Sequence, residues 1–191
     1  ELKASSGVDI EYRDEGTLYL ALTDKDGEEL ERRWQWLHEA GLNVRLLNAG
    51  CALKLEPLLN QTLRFALKFP GDHQVDNRRL MTALYGAARN AGIEFLTHTE
   101  ARELLTENVA GRSRVSGVVT ARGEIHARTV VIAAGSWSSL LRCDEAQRFE
   151  VEPARGQMAA LEMPAPAARH VIYSRRGYLV PRFGGYLIAG S

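Results

Sequence analysis

Ala133, Ala134, Gly135, Ser136 and Trp137 are the residues whose types and order first suggest chemistry. They sit in the stretch TVVIAAGSWSSLL, where an unbroken apolar run stops at a glycine and a tryptophan follows. Val130 to Ala134 show no apolar/polar alternation, the pattern of a strand buried on both faces in a parallel sheet covered by helices. In open α/β sheets, ligands bind beyond the carboxyl ends of such strands. Ala134 and Gly135 lack the bulk that would keep a flat cofactor away, and Trp137 is placed to shield one. The same residues also suit a plain buried strand leading into a short helix from Trp137 to Arg142, capped by Ser136 or Ser138. Residue types alone leave both readings open.

Other chemistries find less support. Cys51 and Cys143 stand far apart without a CxxC spacing, so they read as buried or half-buried free thiols. None of the five histidines pairs with another at the i, i+4 spacing that puts two ligands on one helix face, and no metal site is expected. No Ser/His/Asp or similar nucleophile and base set stands out.

The 24 basic and 24 acidic residues cancel, and the basic ones are scattered singly or in pairs such as Arg78-Arg79. That argues against a nucleic-acid or anionic-membrane partner. The apolar runs are too short for a bilayer span, so a soluble cytoplasmic protein is expected. The chain opens at Glu1 in what reads as a helix tail and stops at Ser191 beside a strand, which suggests an internal piece of a longer protein.

The elements that would position these residues fall into three segments. In residues 1–75, VDIEYRDEGTLYLAL reads as two short strands turning at Asp14-Glu15-Gly16. A helix then starts with Asp24 as cap and carries Leu30, Trp34 and Leu37 on one face. VRLLN and LRFALKFP read as strands, with the short helix AGCALKLEP between them. In residues 76–146, a helix capped by Asp76 carries Leu80, Leu84, Ala87 and Ala91. The strand IEFLTHT, two strands turning at Arg122-Gly123 and the buried strand described above follow it. In residues 147–191, alternation returns in VEPARGQMAALEM and GYLVPRFGGYLIAGS.

Four of these pieces, GDHQVDNRRLMTALYGAARNAGIEFLTHTEA, TVVIAAGSWSSLL, VEPARGQMAAL and GYLVPRFGGYLIAGS, resemble in content and order the D-amino-acid oxidase family of FAD-dependent oxidoreductases. The likeness is greatest to the branch that serves thiamine biosynthesis. It implies α/β plus α+β architecture: part of a FAD-binding wound α/β lobe (76–146) and an antiparallel-sheet substrate lobe made from 1–75 and 147–191. Members of this family wrap the FAD pyrophosphate with a G-x-G-x-x-G loop, which this sequence does not contain.

The resemblance implies FAD as cofactor, with Ala101, Ala134, Gly135 and Trp137 on the cofactor side and Ala101 contacting the adenine end through its backbone. It places Tyr178 over the flavin near the substrate. Arg182 either faces that cavity or satisfies a hairpin end, and Arg155, Gly156 and Gln157 read as a structural turn. The implied reaction is oxidation of a small amino acid or amine, such as glycine or sarcosine, with molecular oxygen as acceptor and hydrogen peroxide as product. No catalytic acid or base is assigned, no nucleic acid or membrane partner is implied, and a homo-oligomer is allowed.

Overall fold

The computed structural model describes residues 1–143, 150–164 and 168–191. The expected segment boundary at 146/147 lies outside them. The described strands are, in chain order, β1 (Thr17–Ala21), β2 (Arg45–Asn48), β3 (Phe65–Phe69), β4 (Ala101–Val109), β5 (Arg112–Thr120), β6 (Gly123–His126), β7 (Met158–Glu162), β8 (Val171–Ser174), β9 (Gly177–Pro181) and β10 (Tyr186–Gly190). The helices are α1 (Leu2–Ser6), α2 (Asp24–Glu39), α3 (Ala49–Leu55) and α4 (Asn77–Asn90). The chain divides into two compact units, Glu1–Ile93 with Gly156–Ser191, and Glu94–Arg155.

The first unit is built on a seven-stranded sheet ordered β2-β3-β1-β8-β9-β10-β7. Segments from the two ends of the sequence thus share one sheet, joined where β1 and β8 pair in parallel; the other pairs are antiparallel. Alternation in β1 explains its two cores. Leu18 and Leu20 point to one face, against Ala52 of α3, Leu63, Ala66 and Ile172. Ala21 points to the other, where Leu67 and Leu30 of α2 bury it. Leu18, Leu30 and Leu67 are fully buried, and each burial stabilises the fold by about 1.5–3 kcal/mol.

α2 begins one residue earlier than the sequence suggests. Its cap is Thr23, not Asp24: the Thr23 hydroxyl accepts from the Asp26 amide and the Asp26 carboxylate accepts from the Thr23 amide, a reciprocal capping box. The cap of α4 is Asp76, as expected, and α1 packs along this helix with Asn90 Nδ2 donating to the Ser5 carbonyl at 2.8 Å. On α4 the buried residue is Ala83, whereas Leu84 of the expected apolar stripe stays 47% exposed.

A buried polar cluster ties the sheet segments together. Glu56, just past α3, lies 113 and 114 positions from Arg169 and His170, yet its Oε1 accepts the Arg169 amide at 2.9 Å and the His170 amide at 2.7 Å. His170 Nδ1 is 2.6 Å from the same oxygen, and Lys68 Nζ of β3 lies 3.0 Å from His170 Nε2. Glu56 and His170 are both buried. Burial pushes the Glu56 carboxyl up, but the hydrogen bonds from the His170 side chain, the His170 amide and the Arg169 amide outweigh it and hold the group below its ordinary range.

The second unit holds an antiparallel sheet ordered β4-β5-β6. β5 and β6 match the expected strand, turn and strand, whereas β4 and, in the first unit, β8 lack a clear sequence signal. Three expected strands are absent: residues 8–13 hold an isolated bridge, Arg13 to Gln74, instead of a strand. Residues 94–99 form a coil and turn, and 129–134 run without a ladder, Val131 being 83% exposed. A strand needs neighbours for its amides and carbonyls, and the described residues place no strand beside 129–134. The segment after it is a 3-10 helix over Gly135–Leu140, preceded by Ala134 with no side-chain cap bond, so neither Ser136 nor Ser138 caps it. Of the thiols, Cys51 is exposed rather than buried. No helix among the described residues is long and apolar enough to cross a membrane.

Candidate functional site

Within the second unit, the start of β4, Val118 of β5 and the stretch Val130–Ala134 enclose a cleft of about 800 Å³ with Trp137, Leu140 and Leu141. Ala101 and Ala134 both line it, and Trp137 stands at its side with 71% of its surface exposed. Gly135 opens the 3-10 helix next to it with a φ of 54°, a left-handed conformation that favours glycine. Three of the four expected cofactor residues therefore share one cleft, and the fourth, Gly135, follows Ala134 in the chain without lining it.

The electrostatics of this cleft are muted. Arg102 Nε lies 3.0 Å from Glu100 and Arg142 Nη2 lies 3.1 Å from Glu103, so each rim cation has a carboxylate neighbour. The remaining wall is valine, isoleucine, leucine and alanine. Such a slot suits a flat, uncharged heteroaromatic ring better than a phosphate, and its size is that of small-molecule sites in general.

The second expected group is Tyr178, in the first unit. Tyr19 is in register with Tyr173, Tyr173 with Tyr178, and Tyr178 with Gly190, so β1, β8, β9 and β10 bring these residues into one transverse row. The Tyr19 and Tyr173 ring centroids are 5.0 Å apart, and those of Tyr173 and Tyr178 are 5.9 Å apart and nearly parallel at 13°. Arg33 of α2 lies over Tyr19, at 5.3 Å from its centroid. Beyond Tyr19 this row is open, and Tyr173 is 41% exposed. Sequence reading named Tyr178 as a candidate and passed over Tyr173, which stacks on it. The missed signal was an aromatic residue at the matching register of β8, legible only once the pairing of the two strands is known.

Arg182 stands apart from this row. Its Nη1 donates to the Val75 carbonyl at 2.5 Å and its amide donates to the Tyr186 carbonyl at 2.8 Å. Its charge also helps hold the Asp76 carboxyl below the ordinary range, after the larger effect of the Arg79 amide. The guanidinium thus ties the β9–β10 hairpin to the start of α4. Gly156, in the expected turn Arg155-Gly156-Gln157, lies near the Ser191 carbonyl, and Gln157 accepts the Ser191 amide through its main chain at 3.4 Å. No group of three or more His, Cys, Asp or Glu poised for a metal occurs among the described residues.

The model of the FAD-dependent oxidoreductase family DAO matches residues 1–191. The chain belongs to this family. Among curated relatives, a glycine oxidase of Geobacillus kaustophilus is 32% identical over the whole of this chain and half of its own length. The hydrogen cyanide synthase subunit HcnC of Pseudomonas aeruginosa is 30% identical, again over the whole chain and 45% of its own length. Among solved structures, a glycine oxidase of Bacillus cereus superposes on all of this chain and 52% of its own, with a TM-score of 0.87 at 26% identity. The chain therefore spans about half the length of these relatives. Its fold is that of the family, mixed sheet plus helices, and its cofactor is the family's FAD.

Proposed function

We propose that the full-length protein to which this chain belongs oxidises a small amino acid or secondary amine, glycine or sarcosine by preference, with molecular oxygen as final acceptor and hydrogen peroxide as product. The carrying observation is the open tyrosine row Tyr173–Tyr178 on the large sheet. The likeness to glycine oxidases over the whole chain supports the choice of substrate. FAD, when bound, would supply the redox chemistry as the hydride acceptor.

The chain's own residues hold and orient. Ala101, Ala134, Gly135 and Trp137 would receive the adenine end of the cofactor in the apolar cleft. Tyr178 and Tyr173 offer two ring faces and two hydroxyls to a small substrate, excluding water on one side. Neither needs to move a proton for hydride to leave the α-carbon. Arg182 acts on the frame of the site by fixing the hairpin that carries Tyr178. The chain matches HcnC at nearly the identity of the glycine oxidase, so another amine substrate within the family is the second reading.

Oxygen consumption by the full-length protein with glycine, sarcosine and D-alanine tests the proposal, and failure to turn over any of them would sink it. Tyr178→Phe is expected to raise KM roughly twofold to tenfold, the loss of about 0.5–1.5 kcal/mol of hydrogen bonding, with a smaller change in kcat. A lowered melting temperature with intact kinetics would make Tyr178 a packing residue. Arg182→Ala is expected to lower turnover of charged amino acids and of uncharged amines alike, because it loosens the hairpin. A selective loss for amino acids would instead place the guanidinium at the substrate carboxylate. The 191 residues alone, without a G-x-G-x-x-G loop, are expected to hold FAD weakly and to be inactive, and flavin absorbance after gel filtration checks this.

A further inference from the structure

Gly190 closes the tyrosine row on β10, and its place there is steric. Its backbone is not in the left-handed region, so any residue could adopt it. A Cβ at this position, however, would overlap the Tyr178 ring at Cε2, Cζ and the hydroxyl, the far end of the side chain. The ring thus lies down across the β10 main chain. A glycine inside a strand commonly marks such a close approach. Gly177, at the start of β9, adds to it: with φ of 139° it brings its own backbone against the Gly190 carbonyl, where a Cβ would again overlap. On the far side of Gly190 the row continues to Met158 of β7, in register with it and 69% exposed.

We propose that Gly190 is a specificity-determining position, which sets the attitude of the Tyr178 ring and thereby the room left for a substrate side chain between that ring and Met158. This rests on the reading of the Tyr178 face as the substrate side. With glycine at 190, the ring lies low and the space above the sheet stays free. With any larger residue, the ring is lifted off β10 into that space. Met158, unbranched and exposed, forms the opposite wall.

The test uses Gly190→Ala, Tyr178→Ala and the double variant in the full-length, flavin-loaded protein, with two readouts. Near-ultraviolet circular dichroism reports the stacked Tyr173–Tyr178 pair directly, and the ratio of kcat/KM for D-alanine to that for glycine reports the room. Gly190→Ala is expected to weaken the tyrosine band and to lower the ratio about tenfold, the scale on which pockets discriminate a methyl group. In the Tyr178→Ala background the same substitution should change neither, because no ring remains to be lifted, and this variant also recovers folding if the single one folds poorly. An unchanged ratio in Gly190→Ala overturns the proposal, whether or not the band moves, as does an equal effect in the two backgrounds. A wild-type protein that oxidises neither amino acid overturns the underlying reading and the specificity role with it. In that case the dichroism still reports whether Gly190 holds the ring.

Discussion

Glu56→Ala is expected to destabilise the fold by about 3–5 kcal/mol, the usual consequence of removing one member of a buried, hydrogen-bonded ionic cluster. One carboxylate oxygen accepts the Arg169 and His170 amides and lies 2.6 Å from the His170 ring nitrogen, and both Glu56 and His170 are buried. The substitution orphans these donors, and it also removes the link between the end of α3 and the entry to β8. Glu56→Gln, which keeps one acceptor oxygen, should cost less. Urea unfolding at neutral pH measures both, and a loss below about 1 kcal/mol for Glu56→Ala would show that the cluster contributes no more than a surface pair.

The same cluster sets a direction with pH. The Glu56 carboxyl is held below its ordinary value of 4.5 in the folded chain, so the unfolded chain takes up the proton more readily. The stabilisation is complete above the ordinary glutamate range and fades as pH falls through the folded value. Comparing wild type with Glu56→Gln across mildly acidic pH isolates this contribution, and the two should converge in acid.

Ala134→Trp in the full-length protein is expected to weaken FAD binding roughly tenfold to hundredfold, corresponding to about 1–3 kcal/mol of overpacking. Ala134 lines the apolar cleft of the second unit between Val130 and Trp137, and an indole there would occupy the space assigned to the adenine ring. Because the residue is exposed, the chain itself should tolerate the change. Flavin fluorescence on titration of the apoprotein, with the melting temperature of that apoprotein as control, separates blocked binding from damage. Retention of full affinity would move the adenine end elsewhere and leave the cleft without a cofactor role.

Much of this architecture was legible in residue order. Leu18 and Leu20 against Tyr19 and Ala21 announce a strand with two different faces, and Asp76 followed by a helical stripe announces α4, because capping and periodicity are local properties. Arg122-Gly123 marks its turn for the same reason. The unbroken run Val130–Ala134 misled, since apolar composition supplies the tendency to form a strand but not the neighbour that must take its hydrogen bonds.

The sequence by itself determined the cofactor class, through the order of its family-like segments, and it singled out Tyr178, Ala101 and Ala134 as residues to follow. Only the tertiary structure decided what stands beside them. The parallel pairing of β1 with β8 puts Tyr19 beside Tyr173 across more than 150 positions of chain, and the antiparallel return of β9 and β10 lays Tyr178 over Gly190. Glu56 and His170 meet for the same reason. Strand order and register follow from how all the apolar faces are buried at once, and no local stretch of sequence carries that information.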